Sequence, residues 1–228
     1  MTETTQLATN IDPRLRDVVQ SLVAWAPNSY ICQYGSRVYG VYSAQSDYDI
    51  IVVVPQLPST DVPTFDGVDL IVHTEDEYHR DYAHAEPWAI EAHFLRLAGR
   101  EDFILHDCGV QQPSTSIAST QLRRSISKAA SHAWVKAKKK LIVEKDYNSY
   151  VAAKSLFHAL RLLMFGIQIS AFGHIRSYDS ANAYWHLILQ DVDRYPSNQG
   201  EEAWRVFDTK FRAHYKQLCS TFREGCPL

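Results

Sequence analysis

The run Ile50-Ile51-Val52-Val53-Val54 decides what this chain can fold into. Five successive β-branched residues predict a strand inside a sheet. Asp47 and Asp49 stand directly before it. Successive strand residues point to opposite faces, so these two carboxylates, two positions apart, project from the same side. At that separation they repel unless a cation, a proton or solvation compensates them. Oxygen donors of this kind suit Mg²⁺ or Mn²⁺. A third carboxylate, Asp69, precedes the apolar run Leu70-Ile71-Val72, where a neighbouring strand would set it beside the pair.

Upstream, the apolar segment Tyr30–Tyr34 leads into Gly35-Ser36. A turn there into a short helix would present backbone N–H groups and the Ser36 hydroxyl to a phosphate. Each of these features also has a plainer reading. Gly-Ser pairs mark turns of every kind, and Asp47 and Asp49 could simply cap a strand start. Capping leaves Asp49 unexplained, because five aliphatic residues follow it into the sheet. Asp66-Gly67 is a hairpin signal that competes for Asp69. Arg37 suits either a phosphate or a structural pairing with nearby carboxylates, and Tyr39 and Tyr42 read as packing residues.

Gly35-Ser36, Asp47-x-Asp49 after a short helix and a lone Asp69 on a later strand together resemble the polymerase-β-like nucleotidyltransferase superfamily. The longer pattern, Gly35-Ser36-Arg37-x-Tyr39-Gly40 with Ser46-Asp47-x-Asp49, is most similar to the small nucleotidyltransferases associated with RNA ligases and RNA repair. The resemblance covers the first half of the chain. It implies two divalent ions on Asp47, Asp49 and Asp69, with an NTP held at Gly35, Ser36 and Arg37. Asp69 would bind the catalytic metal and accept the proton of the attacking hydroxyl. It also implies an RNA acceptor and an RNA ligase as partner. Relatives of antitoxin or antibiotic-modifying type would use a protein or small-molecule acceptor. A silent RNA- or partner-binding module is the rival from another class.

With 228 residues, 46% of them hydrophobic and 21% charged, the chain has the composition of a folded globular protein. The fold expected is α+β, a small mixed-sheet nucleotidyltransferase domain over 1–112 and a helical, basic domain over 113–228. The linker is read at Gln111–Ser116. In the first part, a helix is expected from Pro13 to Trp25, with Asp12 as N-cap and Leu15, Val18, Val19, Leu22 and Val23 as its apolar stripe. Strands follow near 29–34, 50–54, 67–73 and 103–106. Thr74 and Glu77 form a capping-box pattern before a helix to about Ala85, and Pro87 starts another. Long helices are expected near 117–144, 148–172, 181–189 and 201–222, with the active site in the crevice between the domains.

The charge is divided unevenly. Residues 1–113 carry 6 Lys and Arg against 17 Asp and Glu, a net of −11, whereas residues 114–228 carry 17 against 9, a net of +8. That suits an acidic metal-binding half and a basic half facing a polyanion; docking of one half on the other is the plainer alternative. Within the basic half, Lys154, His158 and Arg161 fall at i, i+4 and i+7 on one helix face, and the resembled proteins carry a similar series. The readings are a grip on the nucleotide phosphates, a solvated face or an interdomain salt bridge. Arg123, Arg124, Lys128, Lys136 and Lys138–Lys140 would form a track for an RNA backbone, or a solvated surface. Tyr178, Tyr184 and Trp185 suit base stacking or core packing.

Scattered cysteines (Cys32, Cys108, Cys219, Cys226) predict free thiols in a reducing compartment, and His79, His84 and His93 match no zinc spacing. The polar first ten residues lack a signal-peptide pattern, and the apolar stretch 156–173 contains His158 and Arg161, so a cytoplasmic protein with no membrane span is expected.

Overall fold

The computed structural model describes residues 12–114, 116–192, 194 and 199–227, the side chains of Glu144 and Val192 excepted. The polar N-terminal tail lies outside the described residues. The chain is α+β and divides between Ser116 and Ile117 into two compact units, a few residues beyond the boundary expected at 112.

In the first unit the order is α1 (Pro13–Trp25), β1 (Tyr30–Tyr34), α2 (Ser36–Tyr39), β2 (Tyr48–Val54), β3 (Val68–Thr74), α3 (Glu75–Ala83), α4 (Pro87–Phe94) and β4 (Ile104–Asp107). The Asp12 side chain accepts the Arg14 N–H and Pro13 fills the first helical position, so α1 starts where the sequence predicts. Its stripe of Leu15, Val18, Val19 and Leu22 is buried.

The four strands form one mixed sheet in the order β3-β2-β1-β4. β1 runs antiparallel to β2 and β4, and β2 runs parallel to β3. Every residue from Ile50 to Val54 is at most 1% exposed. An unbroken aliphatic run is required there because both faces of β2 are covered. Ile50, Val52 and Val54 join Ile31 and Leu105 against α1. Residues 51 and 53 face the opposite side, by strand alternation. On the α3–α4 side of the unit, the Tyr30 hydroxyl donates to the Ala92 carbonyl at 2.8 Å and its ring stacks on Tyr78.

Asp66-Gly67 is not a hairpin turn. Pro55–Gly67 is a long parallel crossover without a helix, and the Tyr48 N–H donates to the Gly67 carbonyl at 2.9 Å, fixing the start of β3 beside β2. α3 begins with the predicted capping box: Thr74 accepts from the Glu77 N–H while Glu77 accepts from the Thr74 N–H.

The second unit contains α5 (Ser119–Ile142), α6 (Ser149–Phe172), α7 (Asn182–Val192) and α8 (Gly200–Gly225), with a 3₁₀ turn at Glu144–Asp146. α6 packs against the other three. It is, among the described residues, the one helix long and apolar enough to cross a membrane, and most of its apolar stretch is buried within the protein. Tyr178 is buried against Phe165 and Trp185 against Phe157, so both are packing residues.

Candidate active site

The tightest feature of the first unit is the turn that ends β1. Gly35 sits at φ 78° and ψ −153°, a region open essentially to glycine alone. The carboxylate of Asp49 lies directly against it: a β-carbon at position 35 would stand 2.0 Å from Asp49 Oδ2 and 2.7 Å from its Cγ. The Gly35 carbonyl accepts the Val38 N–H at 3.1 Å, and Gly40, left-handed at φ 76°, closes the one-turn helix. The short helix is thus pinned between two glycines, and the first of them leaves room for the acid.

Strand register assembles the rest. Asp49 pairs with Tyr34 on β1 and with Asp69 on β3, giving a row Tyr34, Asp49, Asp69 across three strands. Directly paired residues on neighbouring strands point to the same face, and the strands lie about 4.8 Å apart, so Asp49 and Asp69 are side by side. Asp47, exposed, stands two residues before Asp49, and its Oδ1 is 4.0 Å from where a β-carbon of Gly67 would be. All three aspartates therefore occupy one end of the sheet. Among the described residues no three His, Cys, Asp or Glu side chains are gathered into a metal-holding group. The strand register sets Asp49 opposite Asp69, with Asp47 two residues before Asp49.

Arg37 is only 8% exposed. Its Nη2 donates to the Ser46 carbonyl at 2.6 Å and its Nε to the Asp47 carbonyl at 3.4 Å. The guanidinium is flanked by the rings of Tyr48, 3.7 Å away, and Tyr42, 4.8 Å away. That geometry makes Arg37 a clamp on the segment carrying Asp47. Tyr42 is 54% exposed, so its packing partner is Arg37 and not the core.

The residue the sequence reading missed is Glu91. It is buried on α4 and accepts the Tyr39 hydroxyl, anchoring α2 from below. An acid inside the apolar stretch of α4 was the signal that could have found it.

In the second unit, Lys154, His158 and Arg161 do share one helix but at different depths. Lys154 is exposed, with its ammonium 5.7 Å from the Tyr150 ring centre. Arg161 is buried, its guanidinium over Phe165, and donates to His158 Nδ1 at 2.7 Å. Burial, reinforced by the charges of Arg161 and Lys136, pushes the His158 pKa down to about 3. At neutral pH this imidazole is an uncharged acceptor that orients Arg161, so the three do not form a uniform row of cations.

The chain matches no protein-family model and no curated protein. What the site can do must be read from its own donors. Asp47, Asp49 and Asp69 offer only hard oxygen donors, two of them in strict register, and these residues fit Mg²⁺ or Mn²⁺ in kind and in backbone placement.

Proposed function

We propose that this chain is a metal-dependent nucleotidyltransferase, moving an NMP from an NTP to an acceptor hydroxyl with release of pyrophosphate. The observation that carries the reading is the pairing of Asp49 with Asp69 across a parallel register while the Asp49 carboxylate fills the notch left by Gly35. A structural carboxylate has no need of a second acid beside it, and two adjacent acids favour a cation site.

Asp47, Asp49 and Asp69 would hold two Mg²⁺ or Mn²⁺ ions. Bound there, such ions supply charge neutralisation of the triphosphate and acidify a coordinated hydroxyl. Gly35 and Ser36 seat the triphosphate close to the backbone. Asp69, exposed on the edge strand, accepts the proton of the acceptor hydroxyl. The new bond joins that oxygen to the α-phosphorus, and the bond to the bridging oxygen of the β-phosphate breaks. Arg37 holds the segment carrying Asp47, and Lys154, exposed on α6, binds a phosphate of the acceptor.

The acceptor proposed is RNA, in end modification or repair, with an RNA ligase as the accompanying activity. The basic second unit and the sequence pattern at Gly35–Gly40 and Ser46–Asp49 support that choice. Four free cysteines suit a cytoplasmic setting.

The test is incubation with Mg²⁺, each NTP labelled at the α-phosphate and total RNA, beside the Asp47→Ala variant. Label in RNA with the parent protein and a loss of several orders of magnitude in the variant is expected. Equal incorporation by both proteins sinks the mechanism. Label on protein or on a small molecule instead would keep the chemistry and replace the acceptor.

A further inference from the structure

Near its C-terminal end α5 lines a concavity of about 330 Å³, within the second unit, that the proposed transfer step does not use. Its walls are His132, Val135, Lys136, Lys139 and Lys140 on one face of the helix, with Asp146 from the 3₁₀ turn opposite. The face is fixed outward because Ala133, Ala137 and Leu141, on the other side of α5, are buried. The turn is fixed as well. The Asp146 N–H donates to the Val143 carbonyl and the Asn148 N–H to the Lys140 carbonyl, both at 2.8 Å, folding the chain back over the last turn of the helix.

Charge in this hollow is unbalanced. Asp146 pairs with Lys140, and among the described residues neither Lys136 nor Lys139 has a carboxylate partner. Lys136 lies three and four residues before the other two, the spacing at which like charges on a helix repel. The negative end of the helix dipole favours Lys139 and Lys140, which stand in the last turn; Lys136, a turn earlier, lies beyond it. Its charge is also felt by half-buried His158 on α6, which is uncharged and offers no counter-charge. Val135 is 46% exposed between the lysines, an apolar patch suited to the face of a ribose. The volume falls in the range of small-ligand pockets.

We propose that this hollow is a phosphate-chain site: Lys136 and Lys139 grip successive phosphate oxygens and the Lys140–Asp146 pair forms the wall. The chemistry fits two sources, the backbone of single-stranded RNA or the phosphates of a free nucleotide. It rests on the nucleotidyl-transfer reading only for the biological origin of the ligand. Binding is measured here without turnover, so the two can fail separately.

The full chain, carrying Asp47→Ala to prevent turnover, is titrated with a fluorescent single-stranded RNA, and separately with ATP and with pyrophosphate. Lys136→Glu/Lys139→Glu is compared with the parent and with Lys216→Glu, a reversal on an exposed residue of α8. RNA affinity is expected to fall about tenfold or more, with a salt dependence shallower by roughly 0.7 for each lysine lost. The Lys216→Glu chain should match the parent. Lys136→Gln/Lys139→Gln, which removes charge without reversing it, should give an intermediate loss. A selective loss for ATP and pyrophosphate would keep the site and assign it to free nucleotide. The proposal is overturned if the double reversal binds RNA, ATP and pyrophosphate as Lys216→Glu does, or if the parent binds none of them.

Discussion

The carboxylate of Asp49 occupies the space where any residue but glycine at position 35 would place its β-carbon, 2.0 Å from Oδ2. Gly35→Ala must therefore displace the acid and also hold alanine at φ 78° and ψ −153°. Each such strained backbone position costs about 1–3 kcal/mol. Gly35→Ala should lower the denaturation free energy by at least that amount and abolish the proposed nucleotidyl transfer. In an Asp49→Ala background the steric part is relieved, so a double-mutant cycle should give a coupling above about 0.5 kcal/mol. Strict additivity would show that the two residues do not compete for space.

Tyr39 and Glu91 test whether α2 is held from beneath. Tyr39→Phe removes a hydroxyl from a buried carboxylate, a loss of about 1–3 kcal/mol. In Glu91→Leu the acceptor is gone and the same substitution should cost little. Chemical denaturation of the four proteins of the cycle decides it. Similar losses from Tyr39→Phe in both backgrounds would mean that the bond contributes nothing.

Much of this architecture was legible because the signals were local. Asp12, Pro13 and a 3.6-residue stripe set α1, Thr74 and Glu77 set the start of α3, and an unbroken aliphatic run set β2. Asp49 was conspicuous because it enters that run. Local signals also misled: Asp66-Gly67 reads as a hairpin, yet the strands it separates from each other are parallel, and direction is decided by which edge β3 can reach. The role of Arg37 and the burial of Glu91 were illegible, since each depends on rings or helices brought in from elsewhere in the chain. His158 and Arg161 were found by spacing, but depth of burial, which spacing does not encode, makes one of them a neutral support for the other.

That depth has a pH signature. An unfolded histidine titrates near 6.5, whereas His158 in the folded chain does so at about 3. Between those values the unfolded chain takes up a proton that the folded chain refuses. Its contribution to stability is intact above pH 6.5 and is lost progressively as the pH falls toward 3, with a limiting slope of about 1.4 kcal/mol per pH unit. His158→Gln keeps an acceptor for Arg161 and has nothing to titrate. Its urea midpoint should fall less than that of the parent between pH 6.5 and 5, above the range in which most carboxylates titrate. Parallel pH profiles would refute a buried neutral imidazole.

Gly166, in the middle of α6, runs against helix propensity, and the Phe222 ring explains it: a β-carbon there would stand 2.7 Å from the ring edge. Gly166→Ala gains about 1 kcal/mol in propensity and incurs about 1–3 kcal/mol of overpacking. A net loss of stability is expected. Phe222→Leu should reverse the sign, because the ring edge is gone and only the propensity gain remains. Thermal denaturation of the single and double variants reads both. Stabilisation by Gly166→Ala alone would show that α6 and α8 have slack between them.

The register distinguishes Asp69 from its neighbour Asp66. Asp69 stands directly opposite Asp49, while Asp66 lies in the crossover before β3 begins. If the acids at this end of the sheet hold the ions, Asp69→Asn should lower Mg²⁺-dependent incorporation of labelled nucleotide by at least about a hundredfold, the typical effect of removing a catalytic proton acceptor. Asp66→Asn should stay near the parent. Removing one of two repelling carboxylates relieves strain in the metal-free protein, so Asp69→Asn should also raise its melting temperature and blunt the further rise on adding Mg²⁺. The melting experiment keeps its meaning without any substrate. If Asp66→Asn loses incorporation and the Mg²⁺ shift while Asp69→Asn keeps both, the acid pair has been assigned to the wrong residue.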